Sequence, residues 1–246
     1  MITGIIPARY ESTRFPGKPL VDIHGKSMLQ RVYEQCQKSN LDRVLVATDD
    51  KRIAAHVQDF AGEVILTAST HKSGTDRIAE AANQLELQDD GIVVNIQGDE
   101  PFIHPEDINL LVACFENQTT QIATLVKKIN AIETLENRNN PKVVLNTKKE
   151  ALYFSRAPIP HLKDFKKEDW LNHHIFFKHI GIYGFRTAVL KEITQLPSSL
   201  LEQKEGLEQL RWLENGYRIQ TVETNSESIA VDCPEDLIRI DKKFFS

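Results

Sequence analysis

The chain has 246 residues, of which 30 are basic and 35 acidic, so its formal net charge is −5. This length fits one large α/β domain, or one domain with a small insertion. The acidic balance argues against non-specific nucleic-acid binding, and no apolar run approaches the roughly 20 residues that a membrane helix needs. We therefore expect no nucleic-acid partner and no membrane insertion.

The first half of the chain alternates strand and helix patterns. Apolar runs predict strands at 2–7, 43–48, 63–66 and 91–96. Helical spacing of apolar residues predicts helices at 27–39, 51–60, 74–87 and 105–115. Such alternation is typical of βαβ units, which build a parallel sheet with right-handed crossovers.

The second half of the chain is richer in strand patterns. The predicted strands are 120–129, 141–146, 151–159, 179–186 and 217–223. The predicted helices are 190–196, 200–215 and 234–245, and 163–172 is expected to be a polar, mobile loop. The run of strands suggests a mixed part of the sheet or a flap that carries an intersubunit surface. We find no internal repeat and no linker, so we expect a single domain over 1–246.

The three cysteines indicate a reducing compartment. Cys36, Cys114 and Cys233 are far apart and odd in number, and they match neither a metal-binding spacing nor a disulfide framework. The first strand begins at residue 2, which leaves no room for a signal peptide. We expect a cytoplasmic protein.

A cluster of cations follows the first predicted strand. Arg9, Arg14 and Lys18 lie among Ser, Thr, Pro and Gly residues. Open α/β sheets bind ligands at the carboxyl ends of their strands, and arginine and lysine donate charge-assisted hydrogen bonds to phosphoryl oxygens. The loop therefore predicts a polyphosphate site. It is not the common P-loop, because neither Gly-Lys pair of this region has the earlier glycine of that motif.

Asp99 follows the apolar run 91–96, so we expect it at the same edge of the sheet. A carboxylate that faces a phosphate site suits Mg²⁺, which takes oxygen ligands and bridges phosphates. A turn in which Asp99 caps its own backbone is the alternative. Asp232 follows another short apolar run, and its local pattern predicts only the N-cap of the last helix.

Two further patterns bear on a binding site. Ser73 precedes a predicted helix and suits a helix cap, a nucleotide contact or both, while Arg77 is within reach of a phosphate. His179 and Tyr183 share one face of a predicted strand, because successive side chains of a strand alternate.

The motifs together resemble those of the 3-deoxy-manno-octulosonate cytidylyltransferases, also called CMP-KDO synthetases, where KDO is the octulosonate. The resemblance is carried by residues 6–20, 47–50, 73–77, 95–101, 153–156, 179–183, 207–211 and 231–237. These segments span nearly the whole chain in the family's order. One departure is Cys233, which stands where the family commonly has Thr.

The resemblance implies a reaction in which CTP and KDO give CMP-KDO and pyrophosphate, for lipopolysaccharide biosynthesis. It implies a nucleotide-diphospho-sugar transferase-like α/β fold, with a central, mostly parallel sheet flanked by helices. A small mixed β flap for dimerisation is expected within about 120–190. The resemblance also implies dependence on Mg²⁺, a homodimer and a cytoplasmic location.

Roles for individual residues follow from the same resemblance. The catalytic candidates are Arg9, Lys18, Asp99 and Asp232, of which Asp99 and Asp232 match the Mg²⁺ ligands. The nucleotide-binding candidates are Ala8, Arg9, Arg14, Lys18, Ser73, Arg77 and Asp99. The positions that match the lining of the sugar-acid pocket are Gln97, Arg156, His179, Tyr183, Glu208 and Gln209.

Two alternatives stay open. One is a cytidylyltransferase of the same fold that activates a related acidic sugar, either 8-amino-KDO or a sialic acid. These substrates share a carboxylate beside an anomeric hydroxyl. The other is a nucleotide-binding regulatory module without turnover, against which the presence of both Asp99 and Asp232 argues.

Overall fold

A mixed β-sheet runs through the computed structural model, which describes residues 1–11, 15–226, 230–231 and 233–238. The strands are β1 Ile2–Ala8, β2 Asp22–Ile23, β3 Lys26–Ser27, β4 Arg43–Thr48, β5 Val64–Leu66, β6 Ile92–Asn95, β7 Ile122–Lys128, β8 Lys142–Leu145, β9 Ala151–Ser155, β10 Phe177–Arg186 and β11 Ile219–Glu223. The helices are α1 Met28–Cys36, α2 Lys51–Asp59, α3 Gly74–Gln84, α4 Pro105–Ala113, α5 Ile132–Glu136, α6 Trp170–His173, α7 Thr187–Ile193, α8 Leu200–Glu205 and α9 Gln209–Glu214. Single 3₁₀ turns lie at Lys18–Leu20, Cys114–Glu116 and Lys167–Asp169.

The four strands that the sequence predicts to be parallel in the first half of the chain lie together at one side of the sheet. In the described residues the order is β11-β7-β10-β6-β1-β4-β5, with β8 pairing β10 and β9 pairing β8. Strands β6, β1, β4 and β5 are parallel neighbours, as the alternation of strands and helices predicts. Strand β10 is antiparallel to both β6 and β7. The sheet is therefore mostly parallel on one side and mixed on the other, which confirms the predicted fold class.

Side chains on both faces of the central strand β1 are buried. In β1, Ile5 packs into a cluster with α3, α7 and α9 residues, whereas Ile6 packs into a second cluster with α1, α2 and α4 residues. Adjacent strand residues point to opposite faces, and helices cover each face. This layering leaves the loops at the carboxyl ends of β1 and β6 as the places where polar side chains converge.

Strand β10 pairs irregularly along its length. Its register with β7 shifts between Ile180 and Tyr183, and its first residues also pair with β8. Strands β8 and β9 thus leave the main sheet as a two-stranded extension. The extension lies within 120–190, where the resemblance places a flap, and a role in dimerisation stays a prediction.

Two sequence predictions are wrong in this half of the chain. The helix predicted over 200–215 is two helices, α8 and α9, because Gly206 adopts a left-handed φ of 62° and ends α8. The polar loop predicted over 163–172 holds a 3₁₀ turn and the start of α6. Trp170 is 6% exposed there, in an apolar cluster with Leu135 and Phe176, so its burial orders the segment.

The remaining boundaries differ by a few residues. The strand predicted over 151–159 ends at Ser155. Residues 235–238 are helical, which agrees with the beginning of the helix predicted over 234–245, and the rest of that prediction lies outside the described residues. Across the described part of the chain, the longest apolar helices are too short to cross a lipid bilayer.

Candidate active site

The carboxyl ends of β1 and β6 border a cavity of about 290 Å³. The two strands are parallel neighbours, so the loops that follow them lie side by side, and the N-terminus of α3 contributes a further wall. The sequence-predicted residues that line the cavity are Ala8, Arg9, Lys18, Ser73, Arg77, Gln97 and Asp99. The structure therefore brings the described phosphate, nucleotide and metal candidates to one place.

Lys18 and Asp99 form an ion pair at the centre of this arrangement. The distance between Lys18 Nζ and Asp99 Oδ2 is 2.7 Å. The Lys18 ammonium also donates to the carbonyl of Val231 at 2.9 Å, and the Val231 N–H donates to the Asp99 carbonyl at 2.9 Å. Three segments that are remote in sequence thus meet at one point. Asp232 and Arg14, the other members of this predicted group, lie outside the described residues.

The backbone of the opening loop holds Lys18 in place. Gly17 has a φ of 72°, a conformation that favours glycine, and its N–H donates to the Tyr10 carbonyl at 2.9 Å. The Arg52 guanidinium lies 3.3 Å from the centroid of the Tyr10 ring. Asp50 in turn receives two hydrogen bonds from the Arg52 guanidinium and one from the Arg52 backbone N–H, which lower the pKa of Asp50 to about 2. A charged, stacked group thus supports the loop from the side of α2.

The start of α3 is fixed against β1. Ser73 Oγ accepts from the Asp76 N–H at 3.1 Å, so the predicted helix cap is confirmed. A Cβ at Gly74 would lie 3.2 Å from Pro7 Cγ, which shows how closely the helix approaches the strand. Arg77 is 4% exposed and pairs with Asp49 Oδ1 at 3.1 Å. The guanidinium therefore lines the cavity from a buried position.

The face of β10 carries two of the sugar-pocket candidates together. The ring centroids of His179 and Tyr183 are 5.2 Å apart, and His179 Nε2 lies 3.0 Å from Thr124 Oγ1. Burial lowers the pKa of His179 to about 3, so its imidazole is neutral at physiological pH. Gln97 joins this face from the end of β6, since its Nε2 donates to the Gly181 carbonyl at 3.0 Å.

Two more sugar-pocket candidates, Glu208 and Gln209, lie at the start of α9. Glu208 accepts hydrogen bonds from Thr75 Oγ1 at 2.5 Å and from Arg211 Nη2 at 2.8 Å, and burial raises its pKa. The neighbouring Gln209 is 4% exposed, and its Nε2 finds no hydrogen-bond partner among the described residues. Unpaired buried donors are rare in proteins, which indicates a place for a ligand or a water molecule.

Arg156 differs from the other candidates in its contacts. Its guanidinium donates to the carbonyls of Glu205 at 2.6 Å, Gly206 at 3.2 Å and Arg138 at 3.0 Å. Within the described residues it bonds to these carbonyls and not to another candidate side chain. Arg156 thus lies beside the end of α8, and the Glu205 and Gly206 carbonyls that it contacts precede Glu208 by only a few residues in the chain.

Asp99 is the described carboxylate that suits a metal at the cavity. No group of three or more His, Cys, Asp or Glu side chains placed to bind a metal occurs in the described ranges. Mg²⁺, however, binds commonly through one or two carboxylates together with substrate phosphates. The Asp99 side chain is 28% exposed beside the phosphate-loop cations. Its oxygen chemistry and position therefore fit a metal ion that binds with a nucleotide.

Comparison with known proteins places this arrangement in a family. A family model described as "Cytidylyltransferase" matches residues 3–225. The chain belongs to the cytidylyltransferase family. It is 57% identical over 238 residues to a protein of Parabacteroides distasonis named 3-deoxy-manno-octulosonate cytidylyltransferase, covering 95% of this chain and 94% of the relative. A protein of the same name from Bacteroides thetaiotaomicron is 58% identical over 237 residues, with coverages of 95% and 94%.

Solved structures agree with this assignment. The structure of a CMP:2-keto-3-deoxy-manno-octonic acid synthetase complexed with CTP has a TM-score of 0.90 and 42% sequence identity, and the match covers 98% of this chain and 97% of that chain. A putative glucose-1-phosphate thymidylyltransferase from Bacillus anthracis has a TM-score of 0.66 at 15% identity, over 98% and 94% of the two chains. The second similarity concerns the fold alone.

The cytidylyltransferase cavity also has lining residues that the sequence patterns did not indicate. His71 and Lys72 lie between β5 and α3 and line the cavity beside Ser73. His71 Nε2 is hydrogen-bonded to Glu80 of α3. Neither residue directly follows a predicted strand, so the rule that locates ligands at strand ends does not select them. Their proximity to Ser73, a candidate, was the available signal.

Proposed function

We propose that this cytidylyltransferase joins CMP, taken from CTP, to 3-deoxy-manno-octulosonate and releases pyrophosphate. The product, CMP-KDO, would be the activated sugar for lipopolysaccharide biosynthesis. The observation that carries the proposal is the Lys18–Asp99 pair at the edge of β1 and β6, within a chain that aligns over nearly its whole length with relatives of that name. A cation for phosphate and a carboxylate for a metal are the two groups that nucleotidyl transfer needs at one place.

In the proposed reaction the anomeric hydroxyl of the sugar acid attacks the α-phosphorus of CTP in line. A bond forms between that oxygen and the α-phosphorus, while the bond from the α-phosphorus to the pyrophosphate oxygen breaks. The hydroxyl proton leaves to solvent. Arg9 and Lys18 stabilise the charge that develops on the leaving pyrophosphate, and the walls of the cavity hold the reactants in line.

Asp99 would hold Mg²⁺, with Asp232 as a second ligand. The metal, when bound, supplies charge neutralisation at the phosphates. On the sugar side, Gln97, His179 and Tyr183 form a wall of polar and aromatic groups. Because His179 is neutral, it offers hydrogen bonds to sugar hydroxyls without adding a charge.

We also propose that the enzyme is a cytoplasmic homodimer that uses the β8–β9 extension as its contact. Leu152 in β9 is 59% exposed, and Ile175 just before β10 is 52% exposed. Large apolar side chains of this kind suit a subunit interface. Light scattering on the purified protein tests the proposal. A mass of one chain would contradict it, as would an unchanged dimer after Leu152→Glu.

The central experiment incubates the protein with CTP, Mg²⁺ and KDO and identifies the product by mass spectrometry. We expect CMP-KDO, with pyrophosphate release that falls by a factor of about 10²–10³ in Asp99→Asn. Asp89→Asn is the matched control, because Asp89 is 75% exposed and pairs with Lys191, away from the cavity. Normal turnover by a folded Asp99→Asn protein would contradict the metal assignment.

A panel of acidic sugars separates the remaining alternatives. A product from 8-amino-KDO or a sialic acid, but none from KDO, would reassign the substrate within the same reaction class. Binding of CTP without product from any of these sugars would favour a regulatory module.

A further inference from the structure

A hydrogen bond joins the helix at the wall of the cavity to Glu208, which lies outside the cavity lining and matches the sugar-acid pocket. Thr75 Oγ1 donates to Glu208 Oε2 at 2.5 Å, across a sequence separation of 133 residues. Thr75 is 3% exposed and is the second residue of α3. The same helix begins at Gly74 after its cap Ser73, and both residues line the cavity. The first turn of α3, which borders the cavity, therefore also contacts the acid that matches the sugar pocket.

Glu208 is held at both of its oxygens. Arg211 Nη2 donates to Oε1 at 2.8 Å, while Thr75 donates to Oε2. Arg211 is itself fixed, since its Nη1 donates to the Leu196 carbonyl at 3.0 Å. A carboxylate oxygen can accept more than one hydrogen bond, so each oxygen of Glu208 keeps capacity for a sugar hydroxyl. Thr75 and Arg211, together with the Ser73 side chain that also hydrogen-bonds to Glu208, define where that capacity points.

Thr75 has little freedom to move relative to the nucleotide cavity. Ser73 caps α3, and the backbone at Gly74 packs against Pro7 of β1. Glu208, by contrast, lies in the short connection between α8 and α9 and is not part of a long helix. A hydroxyl on a rigid helix therefore orients a carboxylate on a short loop, and not the reverse.

We infer that Thr75 is a positioning residue, whose hydroxyl orients the Glu208 carboxylate for the sugar acid and so ties the start of α3, at the cavity, to the proposed sugar-binding residues. This inference rests on the proposed function. It assigns a role to a residue that makes no contact with the reacting atoms. Its loss affects recognition of the sugar more than recognition of CTP, because Ser73 and Gly74 remain in place.

Three substitutions test the inference. Thr75→Val removes the hydroxyl at nearly the same volume, Thr75→Ser retains it, and Thr75→Ala provides a second variant without a hydroxyl. We expect the Val and Ala variants to raise the KM for KDO about tenfold at saturating CTP, the size expected for a lost hydrogen bond to a charged group. Calorimetric Kd values for CTP alone are expected to change less than about twofold, and Thr75→Ser to restore the KM.

A double-mutant cycle with Glu208→Gln shows whether Thr75 acts through Glu208. If it does, Thr75→Val adds little to the KM for KDO once Glu208 is replaced. The inference is overturned if the folded Val and Ala variants keep a wild-type KM, or if the Ser variant is as impaired as they are. Equal losses of CTP and KDO recognition also overturn it.

The wild-type protein separates failure of this inference from failure of the proposed function. Wild-type protein that makes no CMP-KDO refutes the proposed function and this inference with it. Wild-type protein that makes CMP-KDO, beside a Thr75→Val variant with unchanged kinetics, refutes the positioning role alone. Thermal unfolding of each variant confirms that the folded protein is being compared.

Discussion

Lys142 is a buried cation in β8. We predict that burying its charge lowers the free energy of unfolding by an amount that depends on pH. The residue is 0% exposed, and its ammonium donates to the Asn137 carbonyl at 3.0 Å. Burial, reinforced by the charge of Arg156 and opposed by that of Glu205, lowers the pKa of Lys142 from 10.5 to about 8. Below pH 8 the side chain is charged in the folded and the unfolded protein, so the whole cost of burying the charge is present.

Replacing Lys142 by Met removes this cost, and the sign of its pH dependence follows from proton binding. Between pH 8 and 10.5 the unfolded wild-type chain binds more protons at Lys142 than the folded protein does. Wild-type stability therefore rises with pH in this window relative to Lys142→Met. Integration between the two pKa values gives a relative gain of about 2 kcal/mol between pH 7 and 9.5.

Urea unfolding of both proteins at pH 7 and 9.5 measures this difference. The cysteines and tyrosines that also titrate in this range are common to both proteins, so their contributions cancel in the comparison. Lys163→Met is the matched control, because Lys163 is exposed, and we expect no pH-dependent difference from wild type. A Lys142→Met difference that stays constant across this pH range would refute the reasoning.

The remaining predictions concern the backbone and the opening loop. Gly206→Ala should lower the free energy of unfolding by about 1 kcal/mol, because φ at Gly206 is 62°; unchanged urea unfolding would contradict this. Gly17→Ala should weaken CTP binding in calorimetry, because the new Cβ would lie 3.2 Å from Tyr10 Oη and φ there is 72°. Arg52→Leu should also weaken CTP binding by removing the stack on Tyr10, with Arg52→Lys intermediate. Wild-type affinity in the Gly17 and Arg52 variants would exclude a role for this packing.

The order of strands and helices could be predicted where periodicity is local. Strand β4 runs from Arg43 to Thr48 as predicted, because a β-branched apolar run between polar residues leaves little choice. The failures depend on tertiary contacts. A single glycine within a helical pattern of apolar residues does not by itself show that the helix ends there. The left-handed φ of 62° at Gly206, which ends α8, is visible only in the structure. Similarly, the charged segment around Trp170 is ordered because the Trp170 side chain packs into an apolar cluster with Leu135 and Phe176, residues that are remote in sequence or lie outside the segment.

The site shows the same division between local and long-range information. The neighbouring positions of Lys18 and Asp99 could be predicted, because both follow strands of a parallel sheet and such ends share an edge. The contact between Thr75 and Glu208 could not, since no periodicity relates a helix start to a loop 133 residues away. Strand alternation predicts the shared face of His179 and Tyr183, but their close contact depends on the register shift that sets them opposite Val126 and Thr124 of β7. Their approach to Gln97 depends on the antiparallel register of β10 and β6.

Several cations lie close together at the cavity, and ion pairs within the protein offset part of their mutual repulsion. The cations that line it are Arg9, Lys18, Lys72 and Arg77. Lys18 is paired with Asp99 and Arg77 with Asp49, so part of the repulsion among these cations is compensated by the protein itself. Arg9 and Lys72 form no ion pair with any residue that the structure describes. The cavity therefore keeps a positive charge that attracts an anionic ligand, while the pairs fix the positions of the groups that receive it.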